Sequence, residues 1–273
     1  MHPYDNLRFY IFDWDDNVLF MDTPILVEQL TGGVWRERRL NTSEYALVRN
    51  ELPKQTRYRY PQKEGSPDYS RAYAAFNDRP GEPSRFLIDT VAAIAQERFA
   101  PSYNCFKEAL VAGSLFMICT ARAHRPSSLR EGVEYVIRDV LTDAERETMY
   151  TNLAGFHGYY KGTALPDRAG LLDWYLNKCG FVPISSPEFA RTVPVNSPVE
   201  SAKFIAVERF VSYATGLFYR YADRIERMTI GFSDDDQQNV NAIAAVFRKH
   251  LYPNVEFFLY NTSTKTKKLV PVQ

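Results

Sequence analysis

Three short apolar runs, far apart along the chain, each stop abruptly at a polar side chain. Residues 7–12 are followed by Asp13, and residues 228–232 precede a serine and three consecutive aspartates. Between them, residues 115–119 lead directly into Thr120. Short, β-prone and largely apolar runs are typical of strands buried on both faces of a parallel sheet. Because ligands bind beyond the carboxyl ends of such strands, these polar residues are predicted to form a site.

Helical patterns alternate with these runs. Ser84 is placed to cap a helix, and residues 197–200 form a capping box with proline at the first helical position. The second helix is expected to run to about residue 213, and a third begins at Gln237 and ends in basic residues 248–250. Two further strand candidates, the second weaker, are residues 255–260 and 181–185. Alternating strands and helices predict an α/β fold with helices on both faces of a parallel sheet.

Two segments do not fit this alternation. Residues 22–83 carry polar and aromatic clusters with several turn signals, and residues 123–178 have mainly helical patterns with no clear strand. Both are interpreted as insertions. The predicted core therefore consists of residues 1–21 and 84–273, interrupted by the 22–83 insertion and elaborated by the 123–178 insertion.

The composition argues against several classes of protein. The 273 residues include 33 Lys+Arg and 33 Asp+Glu, and this zero net charge argues against nucleic acid or an anionic membrane as a partner. No apolar run approaches the roughly 20 residues that span a bilayer. The N-terminus does not have the pattern of a secretion signal. Three widely spaced cysteines are expected to be reduced thiols, so we expect a cytoplasmic protein.

The acidic residues at the predicted sheet edge require compensation. Two carboxylates about 4 Å apart repel each other by roughly 4 kcal/mol at an effective dielectric constant near 20. A group that contains Asp13, Asp15, Asp234 and Asp235 therefore needs a cation, shifted protonation, or both. Oxygen ligands favour Mg²⁺, and no His or Cys residues have the spacing of a zinc site.

Calcium is a rival interpretation, because residues 13–17 also match Asp-x-Asp-x-Asn. An EF-hand loop requires glycine at its sixth position and glutamate at its twelfth. This chain has Val18 and Pro24 there, and the preceding segment has the pattern of a strand. The calcium interpretation is therefore rejected.

Four segments closely resemble, in order, the motifs of the haloacid dehalogenase (HAD) superfamily. Residues 12–19 resemble motif I, an apolar strand followed by Asp-x-Asp, and residues 116–122 resemble motif II, an apolar strand that ends in Ser or Thr. Lys203 is the best match to the motif III lysine, and residues 230–236 resemble the acidic motif IV. The resemblance implies a Rossmann-like HAD sheet in which the first strand is central.

The resemblance also implies catalysis through an aspartyl-phosphate. Asp13 is then the nucleophile that attacks phosphorus in line. Asp15 is the general acid that protonates the leaving oxygen and afterwards the general base that activates water. Family members that act on C–halogen or C–P bonds usually lack this second aspartate, so its presence favours phosphate esters or anhydrides.

Two phosphate-binding residues are implied by the same motifs. Thr120 would donate its hydroxyl to a phosphoryl oxygen, and Lys203 would neutralise the phosphate and the nucleophile. The alternatives remain open at this point. Thr120 is also an ordinary strand-end residue, and Lys203 also fits a plain surface lysine, with Lys161 as a distant substitute.

The implied Mg²⁺ ligands are Asp13, the backbone carbonyl of Asp15, Asp234 and Asp235. Which of the three consecutive aspartates, ending with Asp236, binds the metal directly is left open.

Some positions depart from the family pattern. Asn17 replaces the usual Thr or Val, and Ser233 replaces a frequent glycine. Asn239 stands about where many relatives carry another acidic residue, and the interval from Lys203 to Asp234 is long, 234 − 203 = 31. These departures concern the lysine and the metal geometry, and they leave Asp13 unaffected.

Substrate choice in this superfamily usually comes from a cap, and residues 22–83 occupy one usual position of a cap. The expected function is a Mg²⁺-dependent phosphatase that acts on a small phosphorylated metabolite. Residues 54–60 interleave basic and aromatic side chains, which leaves a nucleotide or polynucleotide-end phosphatase as an alternative, although a solvated face is the commoner explanation. A catalytically idle binding or regulatory protein on the same fold is the other alternative.

Overall fold

The structure is a computed structural model that describes residues 6–194, 199–221, 223, 225–250 and 253–270. The strands are β1 (Asn6–Phe12), β2 (Ile25–Thr31), β3 (Val34–Leu40), β4 (Tyr58–Arg59), β5 (Gln62–Lys63), β6 (Ser66–Pro67), β7 (Leu115–Thr120), β8 (Gly180–Pro183), β9 (Arg227–Asp234), β10 (Val255–Asn261) and β11 (Thr266–Val270). The helices are α1 (Thr42–Val48), α2 (Tyr69–Ala72), α3 (Arg85–Ala95), α4 (Tyr103–Val111), α5 (Pro126–Tyr135), α6 (Asp143–Lys161), α7 (Arg168–Leu176), α8 (Pro187–Ala190), α9 (Val199–Arg220) and α10 (Gln237–Lys249).

A six-stranded sheet with the strand order β11-β10-β9-β1-β7-β8 forms the centre of the molecule. Every neighbouring pair is parallel except β10 with β11. β1 lies in the interior of the sheet, where Phe12 is in register with Ser233 of β9 and Ile118 of β7. The register brings the carboxyl ends of these three strands to one edge. The prediction of an α/β fold with a mainly parallel sheet is confirmed.

Each face of the sheet has its own apolar core, because successive side chains of a strand point to opposite faces. Phe9 and Ile11 of β1 pack on one face against α9 and α10. Phe12 of β1 and Ile118 of β7 pack on the other face, against helices from α3 to α7. Burial on both faces explains why β7 is an uninterrupted apolar run up to Thr120.

One part of the sheet departs from the predicted coverage by helices. Tyr10, Gly231 and Phe258 line an open groove of about 650 Å³ on β1, β9 and β10. Apart from Ser102 and Cys105, every residue that lines this groove belongs to a strand. The helices of that face instead pack towards β1 and β7.

The predicted insertion at residues 22–83 contains a small sheet of its own. β2 lies between β3 and β4 in a three-stranded antiparallel arrangement. A separate apolar cluster supports this sheet and consists of Ile25, Val27, Leu40, Leu52, Tyr58 and Phe76. The segment does not follow the alternation of the core because its strands pair with one another and not with the central sheet.

The predicted helices are present where the structure describes them. The Ser84 hydroxyl accepts a hydrogen bond from the amide of Leu87 at 3.2 Å and caps α3. α9 extends to Arg220, beyond the predicted end at residue 213. The predicted capping box at 197–200 falls partly outside the described residues. None of the described helices has the length and apolar composition that a bilayer crossing requires.

We predict that α5 tolerates no larger side chain at Gly132. A Cβ atom added there would lie 2.6 Å from Cε1 of the buried Phe86 in α3. Gly132→Ala should therefore lower the free energy of unfolding by about 1–3 kcal/mol, as measured by urea denaturation. Gly158→Ala in α6 is the matched control, because its added Cβ meets no atom within 4 Å. The control should be more stable than the wild type by about 0.4–1 kcal/mol. Equal effects of the two substitutions would contradict this close approach of α3 and α5.

Candidate active site

The predicted residues lie along the edge where β1, β7 and β9 end. Asp13 directly follows β1, Thr120 is the last residue of β7, and Asp234 is the last residue of β9. The amide of Asp13 donates a hydrogen bond to the carbonyl of Ser233 at 3.0 Å, which continues the β1–β9 pairing to the edge. The parallel register therefore positions the acidic residues.

Three carboxylates meet at this edge. Oxygen atoms of Asp13, Asp234 and Asp235 all lie within 4.8 Å of one another. Asp13 and Asp234 are buried, and Asp235 is partly buried. Three carboxylates this close together, two of them buried, fit the all-oxygen coordination of a hard divalent cation.

Lys203 provides the positive charge within this group. Its Nζ atom lies 2.7 Å from Oδ2 of Asp234 and 3.1 Å from Oδ1 of Asp13. Burial alone lowers the pKa of Lys203, but Asp13 and Asp234 outweigh burial and raise that pKa well above its ordinary value. The alternative lysine, Lys161, instead lines a cavity beside Leu7, at the opposite edge of the sheet.

The carboxyl groups titrate abnormally because they are buried close together. Burial raises the pKa of Asp13 well above its ordinary value; Lys203 lowers it, and Asp234 raises it again. Burial, and then the charge of Asp234, raise the pKa of Asp235 to about 7. The metal-free site therefore holds protons near neutral pH that a bound cation would displace.

The three consecutive aspartates have different environments. Asp234 accepts hydrogen bonds from Lys203 at 2.7 Å and from Nδ2 of Asn239 at 3.0 and 3.1 Å. Asp236 caps α10, since its carboxylate accepts from a backbone amide of the first turn at 2.8 Å. Asp236 is not a member of the three-carboxylate group, which contains Asp235. Of the three consecutive aspartates, Asp234 and Asp235 are therefore the candidates for direct contact with a metal ion.

Asn17 and Ser233, two residues at which the sequence differs from the motifs it resembles, contact each other. Nδ2 of Asn17 donates to the Ser233 hydroxyl at 2.9 Å and to the carbonyl of Asp13 at 3.0 Å. The Ser102 hydroxyl in turn donates to Oδ1 of Asn17 at 3.2 Å. All of these groups are buried, so Asn17 fixes the loop after β1 to the end of β9.

Asp15 is held by an arginine to which the sequence analysis assigned no role. Nε and Nη2 of Arg122 donate to the two carboxylate oxygens of Asp15 at 2.8 and 2.6 Å. The Thr120 hydroxyl donates to Asp15 at 3.3 Å. Arg122 lies in the segment that resembles motif II, two residues after Thr120. This position next to a predicted site residue is the one feature of the sequence that could have identified Arg122 as part of the site. The predicted metal contact of the Asp15 carbonyl stays a prediction.

Arg122 is fully buried between elements of the core and the insertion. Its guanidinium carbon lies 4.7 Å from the ring centre of Phe76 and 5.5 Å from that of Phe86. Nη2 also donates to the Thr23 hydroxyl at 2.7 Å, and Thr23 donates to Asp89 at 2.6 Å. Aromatic faces and a chain of hydrogen bonds thus fix the guanidinium.

Residues 54–60 do not form an exposed aromatic platform. Tyr58 is buried in the apolar cluster of the insertion. Arg59 pairs with Glu28 at 2.7 Å, and its guanidinium carbon lies 4.3 Å from the ring centre of Trp35. The side chains that a stacking surface would need are therefore occupied within the insertion.

Comparison with models of known protein families, with curated proteins and with solved structures finds no match. The chemistry of the site is therefore inferred from its geometry and its charges.

We predict that Asp235 makes the stability of the metal-free protein depend on pH. Its pKa is about 7 in the folded protein, against about 3.9 in an unfolded chain, so the folded state binds this proton more tightly. The resulting stabilisation is complete below about pH 4 and is lost as pH rises through about 7. Asp235→Asn removes this loss. The variant should therefore unfold at a higher denaturant concentration than the wild type at pH 8 and at a similar one near pH 4.

Chemical denaturation in EDTA between pH 4 and pH 8 measures this difference. The substitution Glu131→Gln, at an exposed residue of α5, is the control and should follow the wild type. A difference between Asp235→Asn and the wild type that stays constant with pH would contradict the assignment.

Proposed function

We propose that this chain is a Mg²⁺-dependent phosphatase of the HAD superfamily that hydrolyses phosphate monoesters through an aspartyl-phosphate. The observation that carries the proposal is the convergence of Asp13, Asp234 and Asp235 at one sheet edge, with Lys203 between two of them. A Rossmann-like HAD core with residues 22–83 as its cap belongs to the same proposal. The interior position of β1 and the separate small sheet of the insertion support it.

Asp13 is the nucleophile in this mechanism. Lys203, at 3.1 Å, favours the ionised form that attack requires. Attack forms a bond between an Asp13 oxygen and phosphorus and breaks the bond to the leaving oxygen, which takes a proton from Asp15. A water molecule then attacks phosphorus, Asp15 takes its proton, and the Asp13 carboxylate and phosphate are released. Splitting the transfer in this way lets one carboxylate act first as acid and then as base.

The remaining polar residues bind and orient the phosphate. The Thr120 hydroxyl breaks its hydrogen bond to Asp15 and donates to a phosphoryl oxygen. Lys203 offsets the negative charge of the phosphate. Asp13, Asp234 and Asp235 would hold Mg²⁺, with the Asp15 carbonyl as the further ligand that the motif implies. When bound, Mg²⁺ neutralises the carboxylates and the charge on the phosphoryl oxygens.

Arg122 is the positioning residue for Asp15. Its Nε and Nη2 atoms donate to both carboxylate oxygens of Asp15 and fix the orientation of that side chain. The acid step requires the protonated form, so Asp15 must separate from Arg122 when it receives a proton. Arg122 thus acts on catalysis through Asp15.

The first test is hydrolysis of an aryl phosphate. Asp13→Asn should lower kcat by at least about 1,000-fold, because the nucleophile is lost. EDTA should abolish the activity of the wild type, and added Mg²⁺ should restore it. The matched control is Asp236→Asn, which lies in the same acidic run but caps α10. Asparagine is also a good cap, so this variant should stay within about threefold of the wild type. Full activity of Asp13→Asn would eliminate the mechanism.

The second test is a double-mutant cycle in kcat. Asp15→Asn should lower kcat by about 100- to 1,000-fold and Arg122→Ala by about 10- to 100-fold. The double variant should be no slower than Asp15→Asn alone, because Arg122 acts through Asp15. Arg122→Lys keeps the charge without the two-pronged geometry and should show the same pattern with a smaller loss. Multiplicative effects in the double variant would show that Arg122 acts elsewhere.

The proposed substrate class is a small phosphorylated metabolite, and the proposed location is the cytoplasm. The internal pairing of residues 54–60 gives no support to binding of a nucleic-acid end. A panel of sugar phosphates and nucleotides separates the two substrate classes. Absence of hydrolysis across the whole panel, with Mg²⁺ bound, would favour the idle binding protein.

A further inference from the structure

A second cavity lies at the opposite edge of the sheet from the candidate active site. Its volume is about 460 Å³, within the range of small-molecule sites. Leu7 and Leu115, near the starts of β1 and β7, line it together with residues of α6, α7 and α9. From Leu7 to Asp13 the strand rises by roughly 3.3 Å per residue, so the two sites are roughly 20 Å apart. Nothing in the proposed reaction uses this cavity.

Aromatic side chains form much of its wall. Trp174, Phe156, Tyr160 and Tyr221 all line the cavity. The rings of Tyr160 and Tyr221 meet edge to face at 5.0 Å. Nε1 of Trp174 is buried and has no hydrogen-bond partner among the residues that the structure describes. The wall therefore offers aromatic surface.

Three cations line the same cavity. Lys161 and Arg220 are the last residues of α6 and α9, and Lys178 follows the end of α7. None of the three forms an ion pair with a carboxylate within the described ranges. Cations at helix C-termini offset the partial negative charge there. Burial, and then the charges of Lys161 and Arg220, lower the pKa of Lys178, which indicates that positive charge still predominates at this place.

We propose that this cavity binds an aromatic ring joined to a phosphate, the chemistry of a nucleoside monophosphate. The ring packs against the aromatic wall, and Lys161, Lys178 and Arg220 receive the phosphate. A fatty-acid anion is the competing ligand chemistry, but a wall with several aromatic side chains suits a planar aromatic ring better than an alkyl chain. The site is independent of the proposed phosphatase activity.

The test is calorimetric titration of the whole chain with AMP in EDTA, where the carboxylates of the candidate active site repel phosphate. One molecule of AMP should bind per chain. Lys161→Ala/Lys178→Ala should raise the Kd at least tenfold, while the exposed control Lys63→Ala/Lys268→Ala leaves it unchanged. Adenosine and inorganic phosphate, titrated separately, should each bind at least tenfold more weakly than AMP.

A charge-preserving variant separates loss of contact from loss of folding. Lys161→Arg/Lys178→Arg should bind AMP within threefold of the wild type. The proposal is overturned if AMP does not bind at millimolar concentration, or if the double alanine variant binds it as tightly as the wild type. Loss of binding in Lys203→Ala alone would place AMP in the candidate active site and overturn it as well. Binding of decanoate that AMP does not displace would also overturn it.

Discussion

The ammonium group of Lys203 is the interaction on which the candidate site depends. Burying an ion costs several kcal/mol unless a partner of opposite charge accompanies it. Lys203 satisfies Asp13 and Asp234 together, so it links α9 to the ends of β1 and β9. One positive charge nevertheless faces three carboxylates. Burial, and then the charge of Asp234, raise the pKa of Asp235, and the excess negative charge leaves a group of carboxylates that could hold a metal ion.

The contact between Asn17 and Ser233 gives a single explanation for two positions at which the sequence differs from the motifs it resembles. Asn17 stands where the resembled motif usually has threonine or valine, and Ser233, 216 residues later, stands where glycine is frequent. In the structure, the amide donates to that hydroxyl and to the carbonyl of Asp13. The two residues together hold the backbone of Asp13 against β9. This contact therefore fixes the position of Asp13 at the sheet edge.

The sequence was sufficient to predict those features that depend on residues close together in the chain. Apolar runs that end at polar residues predicted the strands and placed Asp13, Thr120 and Asp234 at their ends. The pairing of Arg122 with Asp15 was missed because it joins residues 107 positions apart, and no local pattern encodes it. The open groove on β1, β9 and β10 was missed for a related reason. The sequence pattern of a strand indicates which residues are apolar, but not which helices pack on each face of the sheet. The three consecutive aspartates could not be distinguished from the sequence, because the backbone at the end of β9 decides where each side chain points.

The position of β1 has a consequence for biosynthesis. β1 pairs with β7 on one side and with β9 on the other, and the pairing of Asn6 with Arg227 and of Phe12 with Ser233 joins residues that are far apart in the chain. Such distant pairing slows folding, because a long loop must close first. The insertion, whose strands pair with close neighbours in the chain, has no such delay. During translation the insertion is therefore free to fold near the ribosome, while Asp13 cannot meet Asp234 and Asp235 until the end of β9 has been synthesised.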